Sequence, residues 1–307
     1  MVSMLPVAQA GLMRMPNLAI PPWLLDDLRR AKKGHGADQI KRTSALLASL
    51  RLPTVCDSAR CPNRGECFSQ RTATFLILGD VCTRGCTYCA VQHGHPPGPP
   101  DPQEPERLAK AVAELELAHV VVTSVTRDDL PDGGAAHYAL VVRELKRHCP
   151  NVKVELLVPD FLGSERSLAA VLATCPDILA HNVETVPRLY LSIRKGADYQ
   201  RSLTLLKRAK RLASQVITKS GLMFGLGETG EEIEAVLRDL AEASCDMITL
   251  GQYLAPSLTH APVARYVSRE EFAQWREKAL TMGFKSVASG PLVRSSYKAP
   301  LFFGEVA

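Results

Sequence analysis

Cys82-Thr-Arg-Gly-Cys86-Thr-Tyr-Cys89 sets three thiols at C-x3-C-x2-C spacing. Just ahead lies Thr74-Phe-Leu-Ile-Leu-Gly79, an apolar run that reads as a buried strand. Three thiolates on a tight loop can hold three irons of a 4Fe–4S cube, leaving the fourth iron without a protein ligand. The competing chemistry is structural zinc, which needs four closed ligands. Zinc sites pair C-x2-C with a second such pair, and none occurs here. A second group, Cys56-Asp-Ser-Ala-Arg-Cys61-Pro-Asn-Arg-Gly-Glu-Cys67, has C-x4-C-x5-C spacing. Pro62, Asn63 and Gly65 predict a turn-rich loop rather than a helix. Three sulfurs on that loop can face one cluster, with a fourth ligand from elsewhere; on spacing alone, zinc stays open for this group.

These loops need a scaffold, and the pattern after Thr74 supplies one. Strand-like runs at Thr74–Gly79, His119–Val125, Lys153–Val158, Asp177–Val183, Val216–Phe224 and Asp246–Gln252 alternate with helix-like stretches. The helices are expected over Glu104–Leu117, Ala135–His148, Ser164–Thr174, Arg201–Ala213, Glu231–Ser244 and Arg269–Met282, the last opening on a capping box, Ser268-x-x-Glu271. Such alternation predicts an α/β fold with a parallel sheet of βα units. Six units are too few for a closed eight-stranded barrel. They fit a partial (β/α)6 TIM-type barrel whose open side is covered by the N- and C-terminal extensions. The expected divisions are 1–73, carrying the second cysteine loop; 74–283, the partial barrel; and 284–307, a C-terminal segment. Within the first, a short helix opening on Pro21-Pro-Trp, a basic link Lys32-Lys-Gly-His-Gly, and a second helix over Lys41–Leu52 are expected.

In a βα barrel, chemistry gathers at the C-terminal ends of the strands. Those ends are polar here: Thr123-Ser-Val-Thr-Arg-Asp-Asp, His181-Asn-Val-Glu184, Lys219-Ser220 and Gln252-Tyr253. The spacer His93-Gly-His-Pro-Pro-Gly-Pro-Pro reads as a stiff plain loop.

Composition sets bounds. Of 307 residues, 46% are apolar and 22% charged, an ordinary globular balance. Lys plus Arg less Asp plus Glu is 37 − 32 = +5, too mild to argue for nucleic acid but compatible with an acidic protein or carboxylate partner. No stretch approaches the ~18 apolar residues of a membrane span. Nine cysteines, an odd count, argue against a closed disulfide framework. Cys149, Cys175 and Cys245 are isolated and read as small buried side chains. Clustered thiolates awaiting iron need a reducing compartment, so a cytoplasmic location is expected. The apolar pieces over Leu5–Met15 lack the basic start of a signal peptide, and Met4, Met13 and Met15 leave the start position open.

The C-x3-C-x2-C loop, with Tyr88 before its last cysteine, resembles the radical S-adenosylmethionine (SAM) enzymes. Joined to C-x4-C-x5-C and to Arg294-Ser-Ser-Tyr297, it closely resembles the lipoyl synthases. The likeness runs from about Cys56 to Ala299 and includes Arg60-Cys-Pro-Asn63, Phe75-Leu-Ile-Leu-Gly-Asp80, Glu184-Thr-Val-Pro-Arg-Leu-Tyr190 and Thr218-Lys-Ser-Gly-Leu-Met223. Arg64 and Phe68 depart from it, standing where an aliphatic residue and Trp are expected.

The resemblance implies that Cys82, Cys86 and Cys89 hold a radical-generating 4Fe–4S cluster whose open iron chelates SAM. It implies a second, auxiliary 4Fe–4S cluster on Cys56, Cys61 and Cys67, with Ser296 as fourth ligand. A serine oxygen is a harder, weaker partner for iron than a thiolate, which suits a corner that must open. The implied activity is a sulfurtransferase reaction, in which two sulfurs enter a protein-bound octanoyl-lysine at C6 and C8. It uses two SAM and consumes the auxiliary cluster. The implied partners are octanoylated lipoyl carrier domains (2-oxoacid dehydrogenase E2 subunits and the glycine cleavage H protein), an electron donor such as ferredoxin or flavodoxin, and an iron–sulfur carrier; neither nucleic acid nor membrane is expected. Thr123, Asn182, Glu184 and Arg194 are expected to contact SAM, Asn182 and Glu184 through ribose hydroxyls or the ammonium, and Arg194 as a fork on the carboxylate. Gly225-Leu-Gly-Glu-Thr-Gly230 matches a dinucleotide fingerprint, but Gly251-Gln252 stands where that fingerprint places an acid ~20 residues on. These glycines are read instead as letting backbone approach the adenine of SAM.

Two neighbours differ in pattern. A biotin synthase lacks the C-x4-C-x5-C loop, and a methylthiotransferase brings an RNA-binding domain. A non-catalytic iron–sulfur or zinc module would not need six βα units.

Overall fold

The computed structural model describes residues 18–33 and 36–306. The apolar pieces over Leu5–Met15, the alternative start methionines, and Gly34 and His35 of the basic link lie outside the described residues. The elements in chain order begin with helices α1 (Pro22–Lys33), α2 (Ala37–Ser49), α3 (Val55–Ser58) and α4 (Arg64–Ser69). Strands β1 (Thr74–Ile77), β2 (Val81–Cys82) and β3 (Gln92–His93) follow, then α5 (Glu104–Glu114), β4 (His119–Ser124), α6 (Ala135–His148) and β5 (Lys153–Leu157). Next come α7 (Glu165–Leu172), β6 (Ile178–Ala180), α8 (Tyr190–Ile193), α9 (Tyr199–Leu212), β7 (Ile217–Phe224), α10 (Gly230–Glu242) and β8 (Met247–Gln252). The chain closes with α11 (Arg269–Thr281), β9 (Ser286–Gly290) and α12 (Ala299–Phe303).

Seven strands form one parallel sheet in the order β1-β4-β5-β6-β7-β8-β9. The six expected βα units are there, and β9 adds a seventh strand after the sixth helix. Each neighbour follows in sequence, the pattern of right-handed βα crossovers. Strands β1 and β8 are buried at every position, because helices cover one face and the barrel interior the other. The sheet does not close: β1 and β9 lie at opposite ends of the order. The outer edge of β1 is met by the N-terminal extension, through an antiparallel bridge between Thr54 and Phe75 and the Leu76 amide donating to the Pro53 carbonyl (3.0 Å). No described helix is long and apolar enough to cross a membrane.

Local chemistry accounts for the helix starts. Asp198 accepts from the Arg201 amide (2.6 Å), beginning α9 before the expected Arg201. Thr229 and Glu232 make a full capping box on α10. At α11 only half of the expected box forms: Ser268 accepts from the Glu271 amide, while the Glu271 carboxylate is taken by Arg265 and Trp275. The strand expected over Asp177–Val183 is confined to Ile178–Ala180, because residues 181–183 leave the ladder before Glu184 bridges back to Leu222.

The barrel interior holds a buried ionic column. Lys219 on β7 donates to Glu155 on β5 (2.8 Å), and Glu155 also meets His119 Nε2 on β4 (3.2 Å). Burial pushes the Glu155 carboxyl up, but Lys219 and His119 more than offset it and hold it below the ordinary range. Lys219 and Ser220 were expected at a strand mouth; they lie near the start of β7 instead, because that strand runs on to Phe224. Phe303 of α12 stacks edge-on against His119 (5.7 Å) at the N-terminal end of the barrel.

Removing one member of a buried pair leaves an uncompensated charge. Lys219→Met is expected to lose roughly 3–5 kcal/mol of stability, read as a lowered urea midpoint. A loss under about 1 kcal/mol would mean that Glu155 is satisfied without the lysine.

Candidate active site

The C-x3-C-x2-C loop leaves β1 through a reversal at Leu78 (φ 69°) and Gly79 (φ 94°). Glu104, itself bonded to His137 (2.7 Å), accepts from the Leu78 amide (3.0 Å), and Arg127 donates to the Leu78 carbonyl (3.2 Å). Farther along, Thr83 is tied to Thr126 beyond β4, and the Thr126 amide points at the Cys82 sulfur (3.3 Å). Arg84 is buried and forks onto two carboxylates, Asp128 (2.7 and 2.9 Å) and Asp160 (3.0 and 2.6 Å), at the ends of β4 and β5. The Thr87 amide donates to the Ile193 carbonyl (2.9 Å), and His260 Nε2 donates to the Cys89 carbonyl (3.1 Å). Several strand ends thus grip one short loop, which fixes the directions of its three sulfurs.

The second cysteine group is not the irregular loop expected. Thr54 caps α3 by accepting from the Asp57 amide (3.2 Å), so Cys56 lies on a helix. Cys61 sits in the turn, and Cys67 lies on α4. Gly65 is helical and serves packing: a Cβ there would come within 2.3 Å of the Lys32 carbonyl oxygen. The two departures from the family pattern pack on each other, with the Arg64 guanidinium 4.3 Å above the buried Phe68 ring and ion-paired to Asp57.

The C-terminal segment is stitched to this group. Asn63 donates to the Leu292 carbonyl (2.7 Å), and Tyr297 donates to Glu66 (2.8 Å). Thr74 joins the two sides: its hydroxyl donates to Ser296 (2.6 Å), and its backbone beside Cys56 works against the upward push of burial on that thiol.

One cavity of about 830 Å³ is lined by Cys56, Cys61 and Ser296 together with Cys82, Cys86 and Cys89. Cys67 belongs to the same helical pair but not to the lining. Burial pushes Cys56 up to about 11, Cys67 and Cys89 up to about 12, and also raises Cys86. These thiols keep their protons at neutral pH until metal charge displaces them. Among the described residues no three Cys, His, Asp or Glu side chains are gathered closely enough for one metal ion. Thiols spread over short loops and helices fit a cube, whose ligands hold separate irons.

Thr123, Asn182, Glu184 and Arg194, the expected SAM contacts, all line this cavity. The Thr123 hydroxyl is already donated to the Leu157 carbonyl (2.9 Å). Asn182 donates to Glu184 (3.0 Å) and Ser295 (2.6 Å), while its buried Oδ1 has no partner. Glu184 has positive φ (65°), a strained conformation for a side-chain-bearing residue. Burial pushes its carboxyl up, against Arg194, Asn182, Tyr88 and Arg294. Gly221 makes this corner feasible, since a Cβ there would meet Asn182 and Thr249 at 2.8 Å.

Arg194 spends Nη1 on Tyr190 (2.9 Å) and Ser202 (3.0 Å), with Nη2 at 3.5 Å from His181. Its Nε–Nη2 edge has no carboxylate among the described residues, so it can still take one as a fork. An orphaned acceptor, a strained buried carboxylate and an uncommitted guanidinium edge fit the ribose, ammonium and carboxylate of SAM.

Several expectations are corrected. The glycines of Gly225–Gly230, read as admitting adenine, do not line this cavity, and a Cβ on Gly225 would strike Gln252 (2.3 Å) and the Arg265 carbonyl (2.5 Å). Glu228 accepts from the Gly225 and Leu226 amides (2.6 and 2.8 Å), filling the seat a dinucleotide phosphate would need. Gln252 is likewise structural, bonded to Phe224, Tyr253, Arg265 and Val267. Gln92–His93 is not plain loop but pairs with Val81–Cys82, bringing His93 to the cavity rim. Of the isolated cysteines only Cys245 is buried; Cys175 is exposed. Sequence reasoning passed over Arg84, His260 and Arg294; Arg84 and Arg294 were in view inside the motifs themselves.

Residues 76–289 match the family model of the Radical SAM superfamily. A lipoyl synthase of Geobacter sp. (strain M21) is 58% identical over 285 residues, covering 93% of this chain and 95% of that one. A lipoyl synthase of Acidithiobacillus ferrooxidans (strain ATCC 53993 / BNL-5-31) is 52% identical over 303 residues, covering 98% of this chain and 92% of the relative. Among solved structures, methylornithine synthase superposes with a TM-score of 0.56 at 15% identity, over 85% of this chain and 74% of that one. HydG, a maturase of the FeFe-hydrogenase, gives 0.52 at 13% identity, over 88% and 71%. These two likenesses speak to the fold.

His181 beside Arg194 generates a pH test. Its Nδ1 faces the Val158 carbonyl (2.8 Å) and must carry the proton, leaving Nε2 to accept. Burial, then Arg194, lowers its pKa from 6.5 to about 4. The unfolded chain therefore binds the proton first: this contribution is complete above pH 6.5 and is lost as pH falls toward 4. Wild type should lose about 3 kcal/mol through that window from this residue alone, a component missing in His181→Gln. Parallel pH–stability curves for the two proteins would contradict the assignment.

Proposed function

This chain belongs to the lipoyl synthase family of the radical SAM superfamily, and we propose that it inserts sulfur at C6 and C8 of an octanoyl chain amide-linked to a lysine of a lipoyl carrier domain. The observation that carries this reading is the shared cavity: two cysteine groups and the serine hydroxyl of the Arg-Ser-Ser-Tyr box open into one space. Cys82, Cys86 and Cys89 would hold the radical-SAM cluster that family membership implies. Cys56, Cys61, Cys67 and Ser296 would hold an auxiliary cluster. When bound, these groups supply one-electron cleavage of SAM for hydrogen abstraction, once per sulfur, and a sacrificial source of the sulfur itself.

The rest is the work of this chain's own residues. Thr83, Arg84 and His260 hold the radical loop rigid, as a site that must orient a reactive centre requires. Asn182 and Glu184 would bind the ribose or ammonium of SAM, and the free edge of Arg194 its carboxylate. His181, kept neutral, accepts toward Arg194 and helps to aim it. Val55, Leu76, Leu222 and Val293 line the same cavity and suit an apolar acyl chain. Its volume lies high in the ~300–1,000 Å³ range of ligand pockets, as two ligands side by side demand. Thr74 holds the Ser296 hydroxyl beside Cys56, so that a single weak ligand can be released without moving the thiols. The carriers would be 2-oxoacid dehydrogenase E2 subunits and the glycine cleavage H protein. A ferredoxin or flavodoxin would supply electrons, an iron–sulfur carrier would rebuild the auxiliary cluster, and the setting would be the cytoplasm.

Anaerobic reconstitution, metal analysis and single turnover on an octanoyl-lysine peptide test this. Wild type should take up about eight irons, two cubes' worth, and form lipoyl product together with 5′-deoxyadenosine. Cys86→Ala should abolish SAM cleavage. Cys61→Ala should keep cleavage but give no sulfur product. Ser296→Ala should keep most iron while losing product. Four irons with deoxyadenosine and no sulfur insertion would retain the radical enzyme and discard the substrate; one zinc and no iron would leave only a binding module.

A further inference from the structure

Arg294 is the first residue of the Arg-Ser-Ser-Tyr box, and no role above uses its side chain. It is partly buried and lines the cavity shared by the two cysteine groups. Among the described residues its guanidinium makes one hydrogen bond, Nη1 to the Val293 carbonyl (2.7 Å), and no carboxylate lies within ion-pair distance. Its position is built: a Cβ on Gly251 of β8 would strike the Val293 carbonyl at 2.2 Å and approach Arg294 Nη1 at 3.4 Å. The next two residues are held through their hydroxyls, Asn182 donating to Ser295 Oγ and Thr74 to Ser296 Oγ. The other cavity arginines are differently placed: Arg84 is neutralised by two aspartates, Arg194 is held by Tyr190 and Ser202 with its free edge assigned to SAM, and Arg60 is exposed and donates to the Pro256 carbonyl (3.3 Å).

A buried cation without a counter-ion costs stability unless an anion arrives. Glu184 and Cys61 line the same cavity, and the Cys61 thiol would become a thiolate once iron is bound. A cube held by three thiolates and a serine oxygen carries net negative charge, and nearby charge is one of the levers that set a cluster's reduction potential. We propose that Arg294 is a positioning residue that supplies the counter-charge for the auxiliary cluster, raising its reduction potential relative to that of the radical cluster. The inference rests on the auxiliary cluster proposed above. It gives the box two separable tasks, ligation by Ser296 and electrostatic compensation by Arg294.

The test uses the full chain, reconstituted anaerobically, as wild type, Arg294→Lys and Arg294→Gln. Each is titrated with reductant while the two clusters are followed by electron paramagnetic resonance, SAM being added to mark the radical cluster. Loss of the positive charge in Arg294→Gln should shift the auxiliary signal to more negative potential and leave the SAM-responsive signal in place, with Arg294→Lys close to wild type. If the glutamine variant retains too little auxiliary iron to titrate, retention of that iron by the lysine variant supports the counter-charge, and its loss from both overturns it. Unmoved potentials in Arg294→Gln, or an equal shift of both clusters, also overturn it. A wild-type protein with only the SAM-responsive cluster would instead overturn the auxiliary-cluster reading, and this inference with it.

Discussion

An open sheet must hide its edges. Seven parallel strands leave β1 and β9 unpaired with each other, and a bare parallel edge buried against nothing would expose a row of amides and carbonyls. The chain solves this with its own two ends. The segment around Pro53–Thr54 lies against β1, and the residues after β9 turn back across the barrel to meet Gly251, Asn182 and Thr74. The same two segments carry Cys56, Cys61, Cys67 and Ser296. Covering the gap and assembling the second cysteine site are therefore one structural act.

Charge is the other economy of this interior. The thiols of both groups are buried enough to resist ionisation, and among the described residues the cations Arg194 and Arg294 lack carboxylate partners at contact distance. Glu184, strained and pushed toward its neutral form, is a small anionic offset. Such a cavity is poised to take up metal and anion together, with protons leaving as thiolates form. By contrast, Arg84 is saturated with charge partners: it is a brace, and its task is geometry rather than recognition.

What could be read from the chain alone was what is local or periodic. Cysteine spacing is a property of one loop, and the alternation of strand and helix follows from periods of two and 3.6. The partial barrel was therefore accessible, whereas the Arg-Ser-Ser-Tyr box was read only as a source of the Ser296 ligand, and the hydrogen bonds that join the two extensions were not foreseen. The failures share a cause. Arg84 finds Asp128 and Asp160 at separations of 44 and 76 residues, which no window reveals. Lys219 looked like a mouth residue because strand length, not composition, decides its depth. The Gly225–Gly230 run kept the look of a phosphate loop because its occupant, Glu228, is a side chain folding back onto its own turn. Helices α3 and α4 were hidden by Pro62, Asn63 and Gly65, residues that elsewhere make turns and here start a helix or admit a neighbouring backbone.

The clasp between the two ends also has a history in time. Thr74 meets Ser296 across 222 residues, Asn63 meets Leu292 across 229, and Tyr297 meets Glu66 across 231. Contacts of such separation close late, because loop entropy must be met before they reward the chain. During synthesis the group Cys56, Cys61 and Cys67 leaves the ribosome long before its cover does, while the whole barrel is still being made. Its thiols pass that interval without Ser296, Leu292 or Tyr297 over them. A chain arrested before residue 290 would leave those thiols uncovered, so the short stretch holding Leu292, Ser296 and Tyr297 does more for this corner than its modest size suggests.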